Sequence, residues 1–285
     1  MPRKAVLLSV DDGYKAGALA APVFERYGFR AVYFVVPAVL GRGAFLSYGD
    51  LRALKARGFD IGSHTLTHPD LAKVPRGMDP QGYARWISKE LGEPKRLLEA
   101  ALGRPVTALA WPYGAYNPAV AAAALRLGYH QLWSVSGGLN DEAHLDPSRL
   151  RRLILMGHPS LADFARRMKK LPLRPYDGGI AEGSLIYRSQ LPLRVSVPVG
   201  CEAVLGGKPV KLDAGHGFWL GRRTKGGFHY LNIAEEDGKT NRMTPFLFQI
   251  APDAWKACFA ALAEVGTPVV GKGVTRKRPK LRDLP

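Results

Sequence analysis

The stretch Ala5-Val6-Leu7-Leu8-Ser9-Val10-Asp11-Asp12-Gly13-Tyr14 decides how the N-terminal half of the chain is read. An apolar run of buried-strand length stops abruptly at two adjacent carboxylates and a glycine. Helix-patterned sequence follows at Ala16–Tyr27, with Leu19, Val23 and Phe24 on one stripe, and then a second apolar run at Ala31–Val36. Strand, polar end, helix and strand again make one βα unit. The alternation continues with a helix over Tyr48–Arg57, a strand over Phe59–Gly62 and a helix over Tyr83–Leu102 that Pro94 should interrupt. A strand at Val106–Trp111, an Ala-rich helix at Ala119–Leu127, strands at Gln131–Val135 and Leu153–Met156 and a helix at Leu161–Leu171 complete it. Six strands separated by helices predict an α/β fold with a parallel sheet, either a barrel or an open doubly wound sheet. Asp-Asp-Gly is not the glycine pattern of a dinucleotide-binding turn, which argues against a nucleotide-binding sheet.

The period then changes. Leu171-Pro172-Leu173-Arg174-Pro175-Tyr176-Asp177-Gly178-Gly179 has the composition of a linker, and from Ser184 to Ile250 short strands alternate with Gly-rich turns. Pro252-Asp253 can start a helix with Trp255, Phe259 and Leu262 on one face. The predicted organisation is an α/β domain over 1–170, a linker over 171–180, a small, mostly antiparallel β domain with a C-terminal helix over 181–271, and a basic tail over 272–285.

Composition sets the outer limits. Hydrophobic residues make up 46% of the 285 and charged residues 23%, which excludes wholesale disorder. No apolar run is long enough to span a bilayer. The apolar part of the N-terminus is too short for a signal peptide, so a cytoplasmic protein is expected, or a secreted or periplasmic one if a leader has been removed. Two cysteines, Cys201 and Cys258, exclude a disulfide framework and a cysteine-rich metal site. The net charge of +17 favours anionic partners. Part of it lies in Lys272–Pro285, which reads as a solubilising arm or as one that contacts phosphates or nucleic acid; for the protein as a whole nucleic acid is not the expected partner. The oligomeric state is not encoded in any pattern.

Three segments put polar residues where apolar strands end, the place where parallel α/β folds bind ligands. The first is Asp11-Asp12-Gly13-Tyr14, which by itself is equally a turn. The second is Ser63-His64-Thr65-Leu66-Thr67-His68, whose histidines at i and i+4 would share one face of a helical turn and could grip one metal, or could be incidental. A third ligand would have to come from another strand end, and a carboxylate there would suit. The third is Trp111-Pro112-Tyr113-Gly114-Ala115-Tyr116-Asn117, either a turn closing a strand or a rigid support that aims an amide into the cavity.

In this order and spacing the three segments resemble the NodB-type polysaccharide deacetylases, family 4 of the carbohydrate esterases. The resemblance covers about residues 5–170 and is nearest to the branch acting on poly-β-1,6-N-acetylglucosamine. It implies a distorted (β/α) barrel and a metal-dependent amide hydrolase that removes an N-acetyl or other N-acyl group from an amino sugar or polysaccharide. Carried onto this chain, it implies Asp11 as catalytic base, Asp12, His64 and His68 as ligands of a divalent ion (zinc first among the candidates), and the Tyr113 amide as oxyanion donor. His158 matches the family's late histidine, the expected acid, loosely. Many members brace the base with an arginine just before Pro-Tyr. Thr107–Trp111 contains none, so bracing falls to Arg151 or Arg152 or is absent. Leu155 and Trp133 are candidates for walls of an acyl pocket, or simply core. His130, His144, His216 and His229 are expected to be structural or surface residues, and Trp219 and Trp255 core of the small domain, the alternative being a sugar-stacking platform.

Two other functions fit the same sequence. One is a deformylase or deacetylase of an anionic, lipid- or nucleotide-linked amino sugar. The other is a non-catalytic protein that binds carbohydrate or polyanion.

Overall fold

The computed structural model describes residues 6–135, 140, 145–155, 157, 159–168, 180, 183–235 and 243–266. The predicted linker, apart from Ile180, and the basic tail lie outside these residues.

Five short strands, β1 (Leu8–Val10), β2 (Ala31–Val35), β3 (Asp60–Ser63), β4 (Ala108–Ala110) and β5 (Gln131–Trp133), form one parallel sheet in the order 1-2-3-4-5. A doubly wound sheet reverses strand order at a switch point. This sheet never does, so it is wound in one direction, as in a barrel. A parallel bridge from Trp133 to Leu150 extends its far edge. Helices α1 (Lys15–Ala18), α2 (Ala21–Arg26), α3 (Tyr48–Ala56), α4 (Pro80–Leu102) and α5 (Pro118–Arg126) alternate with the strands, and α6 (Leu161–Met168) follows them.

Strand periodicity sorts the side chains onto two faces. Tyr33, Val35, Leu109 and Leu132 join the large core beneath the helices, whereas Phe34, Ala108, Ala110, Trp133 and Leu150 cluster on the other face. Small residues keep that inner face uncrowded. At Gly62 a Cβ would stand 2.5 Å from the Phe34 ring, so only glycine lets the ring lie there.

The predicted helix at Ala16–Tyr27 is two short helices, and the predicted strand at Leu153–Met156 does not form over the described residues 153–155. Pro94 does not interrupt α4, which runs through it. A proline removes the N–H that would bond to the carbonyl four residues back. Here that carbonyl, Glu90 O, accepts the Leu66 N–H at 3.1 Å instead. The neighbouring Leu91 carbonyl takes the Tyr129 hydroxyl at 2.8 Å. The lost helix bond is thus replaced by one to the loop that carries the two histidines.

The C-terminal part holds β6 (Leu185–Tyr187), β7 (Leu193–Ser196), β8 (Cys201–Leu205), β9 (Lys208–Pro209), β10 (Gly217–Leu220), β11 (Gly227–Glu235) and β12 (Met243–Ala251). β6-β12-β11-β8-β9 form one sheet, antiparallel except for β6 on β12, and β10 pairs with β7. Its own core centres on Val195, Leu220, Leu231, Ile233 and Phe248. Helix α7 (Lys256–Ala261) packs elsewhere: Cys258, Phe259 and Leu262 join the core of the parallel sheet, with Phe259 edge-on to Tyr83 of α4 at 5.8 Å. Trp255 packs on that same core and Trp219 is exposed, so neither is core of the β part as expected.

Two buried amides join the parts. Gln249 on β12 accepts from Asn117 Nδ2 at 3.1 Å and donates to Ala72 O at 2.7 Å. No helix among the described residues is long and apolar enough to cross a membrane.

Candidate metal centre

The polar residues of interest follow the carboxyl ends of the strands: Asp11 after β1, His64 after β3, Trp111 after β4, and Ser134 after β5. Asp12 Oδ1 lies 3.5 Å from His64 Nε2 and 3.4 Å from His68 Nε2. One ligand atom from each of Asp12, His64 and His68 falls within 4.8 Å of the others. Separations of 3.4–3.5 Å are long for hydrogen bonds. They suit atoms sharing an ion: ligands at about 2.0–2.1 Å in tetrahedral arrangement lie about 3.3 Å apart. The donor set, one carboxylate and two imidazoles, fits a divalent cation such as zinc.

Neighbouring groups fix both imidazoles. His64 Nδ1 is 2.8 Å from the Ala110 carbonyl, to which it donates, leaving the unprotonated Nε2 facing Asp12. Burial pushes the His64 pKa below the ordinary histidine value, against the opposing pull of the Asp11 carboxylate. A neutral ring is the form that binds metal. His68 reaches the same point without a helical turn, contrary to the expectation from its i+4 spacing. The segment bends through Thr65 and His68, both at φ 65°, and the Thr65 hydroxyl accepts the His68 N–H at 3.0 Å.

Five non-glycine residues among those described have positive φ, and four of them, Asp12, Thr65, His68 and Tyr113, surround this centre. Such backbone costs about 1–3 kcal/mol per residue and persists only where its surroundings enforce it. Part of the enforcement comes from Glu90 of α4. Its carboxylate, only 3% exposed, accepts the Leu66 and Thr67 N–H groups at 3.1 and 3.0 Å and the Thr67 hydroxyl at 2.8 Å. Glu90 is not among the site residues that the sequence points to. Its signal was an acid on the apolar stripe Tyr83, Ile87, Leu91, Pro94, Leu98.

Asp11 stands beside the three, with Oδ2 3.9 Å from His64 Nε2. Its Oδ1 is 2.6 Å from Nη1 of Arg152, which also donates to Ser9 Oγ at 3.0 Å. Arg152 Nε donates to the Ser134 carbonyl at 3.0 Å, and its guanidinium lies over the Phe34 ring at 5.4 Å. Of the two arginines left open by the sequence, the ion pair is made by Arg152.

Tyr113 sits in the left-handed region at φ 59°, and its ring meets His68 edge-on at 4.8 Å. The next residue must be glycine: at Gly114, φ +67°, a Cβ would come within 2.2 Å of Val135 Cγ2. Trp133 is buried against Phe34, while Leu155 is half exposed. His158 lies outside the described residues, as does His144. His216, at φ 49°, and His229, stacked on Phe248 at 5.3 Å, belong to the β part.

The family model for polysaccharide deacetylase matches residues 1–132. The Bacillus subtilis protein YxkH, whose name places it among polysaccharide deacetylases, is 30% identical over 127 residues, 44% of this chain and 43% of its own length. The match therefore spans less than half of that relative. Among solved structures, the Streptococcus pyogenes deacetylase PplD, in complex with acetate, superposes with a TM-score of 0.52 at 24% identity, over 59% of this chain and 72% of its own. A de-N-acetylase from Aggregatibacter actinomycetemcomitans gives a TM-score of 0.52 at 19% identity over 59% and 76%. At these identities the structural likeness shows the fold, and the polysaccharide deacetylase model matches the N-terminal stretch, residues 1–132, that carries the parallel sheet and the candidate centre.

Proposed function

We propose that the chain is a metal-dependent hydrolase that removes an N-acetyl, or other N-acyl, group from an amino sugar within a polysaccharide. The observation that carries this reading is the convergence of Asp12, His64 and His68 on one point beside Asp11, inside the stretch that matches the family.

Asp12, His64 and His68 would hold a divalent ion such as zinc, which would polarise the acyl carbonyl and make water easier to deprotonate. Asp11 takes the proton of the water that attacks the carbonyl carbon, and Arg152 fixes the carboxylate for that transfer. The Tyr113 amide donates to the oxyanion; loss of one such donor typically costs about 10²–10³ in rate. The C–N bond then breaks, the carboxylic acid leaves, and the sugar keeps a free amine. That amine must be protonated as it departs, the role assigned to His158. The division into a catalytic domain over 1–170, a linker, a β domain over 181–271 and a basic tail belongs to the same proposal.

The test is acetate release from N-acetylglucosamine oligomers and from phosphate-linked N-acylated amino sugars, with the Asp11→Asn protein as control. Release from the oligomers, lost in Asp11→Asn, is expected. Equal release by both proteins contradicts the reading.

A further inference from the structure

The pairing of β10 with β7 sorts its side chains by alternation. Phe218, Leu220 and Val195 enter the core of the β part, so Trp219 and Arg194, paired across the two strands, face outward. Trp219 is 60% exposed. Beyond one end of this small sheet the chain turns through residues 198–201, where the Cys201 N–H donates to the Pro198 carbonyl at 3.1 Å. Val199 stands at the tip of that turn, 81% exposed. Beyond the other end lies the turn Gly221-Arg222-Arg223-Thr224, closed by the Thr224 N–H on the Gly221 carbonyl at 3.0 Å, with Lys225 next in sequence.

This second turn is held through its main chain. Arg188 Nη1 donates to the carbonyls of Arg222 and Thr224 at 3.2 and 3.1 Å. His229, stacked on Phe248, donates from Nε2 to the Lys225 carbonyl at 2.8 Å. The side chains of Arg188, Arg222, Arg223 and Lys225 are exposed. Asp213 is taken by Arg194 at 2.8 Å and Asp253 by Lys256 at 2.7 Å. Among the described residues none of the four cations joins an ion pair. The face belongs wholly to the β part and shares no residue with the candidate metal centre.

Four cations without a carboxylate partner attract an anionic surface, and the apolar groups beside them say which kind. A nucleic acid or an acidic polymer would use the charges and could stack on Trp219. It has no use for an exposed valine at the tip of the opposite turn. An anionic bilayer uses all three features. Its headgroups attract Arg and Lys, indole rings settle at headgroup level, and an aliphatic tip gains by leaving water for the acyl boundary.

We infer that this face docks peripherally on an anionic membrane surface, with the four cations on the lipid headgroups and Trp219 and Val199 dipping into the interface. The inference goes beyond the hydrolase reading and does not depend on it. It concerns where the chain is held, and the buried Gln249 contacts carry the α/β part to the same surface.

The experiment is co-sedimentation of the full chain with vesicles of phosphatidylcholine alone and of phosphatidylcholine with about one-third phosphatidylserine, at physiological and at high salt. Binding is expected with the anionic vesicles only, and should fall as salt rises. Combining Arg222→Gln with Arg223→Gln should weaken it about 25-fold, at about fivefold per charge. The basic tail is present in both proteins, so the difference belongs to the turn. Lipids brominated in their acyl chains should quench the tryptophan emission of the bound wild-type chain, and Trp219→Ala should lose most of that quenching. The replaced side chains are exposed, and unchanged thermal unfolding of the variants checks that they fold. An affinity for anionic vesicles that the double substitution leaves unchanged overturns the inference, as does equal binding to the neutral vesicles. Quenching that persists in Trp219→Ala, or that is absent from the bound wild-type chain, overturns it too. So does binding to heparin or single-stranded DNA that depends on Arg222 and Arg223 while neither vesicle is bound.

Discussion

Arg152 holds Asp11 across 141 residues of sequence, with Nη1 2.6 Å from Oδ1. The same guanidinium binds Ser9 and the Ser134 carbonyl, so it ties the first and fifth strand ends of the parallel sheet to one carboxylate. Arg152→Lys keeps the charge but loses the fork that makes these contacts together. We expect acetate release to fall about 100-fold, the order of loss typical when a reacting group is displaced by about 1 Å. Metal content should stay at the wild-type level, which elemental analysis checks. Loss of metal together with rate would mean that Arg152 supports the ligands instead of the base.

Glu90 secures the loop between the two histidines. Glu90→Ala leaves the Thr67 amide and hydroxyl without their carboxylate acceptor, while the Leu66 amide keeps the main-chain carbonyl of residue 90. An unsatisfied buried group costs about 1–3 kcal/mol, and loss of an outer support typically weakens metal binding 10–100-fold. Thermal unfolding and competition with a chelator measure the two effects. Unchanged zinc affinity would remove Glu90 from the account of the site.

Gly114→Ala puts a methyl group against Val135 in a backbone region that alanine avoids. Stability should drop by about 1–3 kcal/mol, as for overpacked cores. Acetate release should fall further than stability explains, because the Tyr113 amide moves with its neighbour. A variant that is less stable but fully active at low temperature would show that the amide plays no part.

Gln249→Leu removes the link between β12 and the Asn117 segment. Asn117 Nδ2 and Ala72 O lose a partner at a buried site, which predicts a loss of about 1–3 kcal/mol in unfolding experiments. An unchanged melting temperature would contradict the role of Gln249.

Much of the N-terminal half was legible because its signals are local. Buried parallel strands are continuous apolar runs, and Asp11, His64 and Pro112 mark where those runs stop. The single direction of winding was not legible, since strand order follows from how the sheet curls. The nature of the His64–His68 connection was misread for a related reason: an i+4 spacing suggests a helical turn, but the backbone reverses at Thr65 under constraints from Glu90 far along the chain. Pro94 was read as a helix breaker because the rule considers only the helix, whereas the Leu66 N–H that takes over its missing bond lies in a loop. Arg152 could be narrowed only to a pair, because an ion pair closed by folding leaves no periodic trace. Trp219 shows the converse error, an aromatic assigned to the core that the sheet places outside.

The most direct test of the central claim is metal analysis combined with acetate release for the wild-type chain and for His64→Ala and His68→Ala. The account predicts one zinc or other divalent ion per wild-type chain, activity lost to a chelator and restored by added Zn²⁺, and both metal and activity lost in each variant. Full metal occupancy in both histidine variants, or acetate release that a chelator leaves untouched, would contradict it.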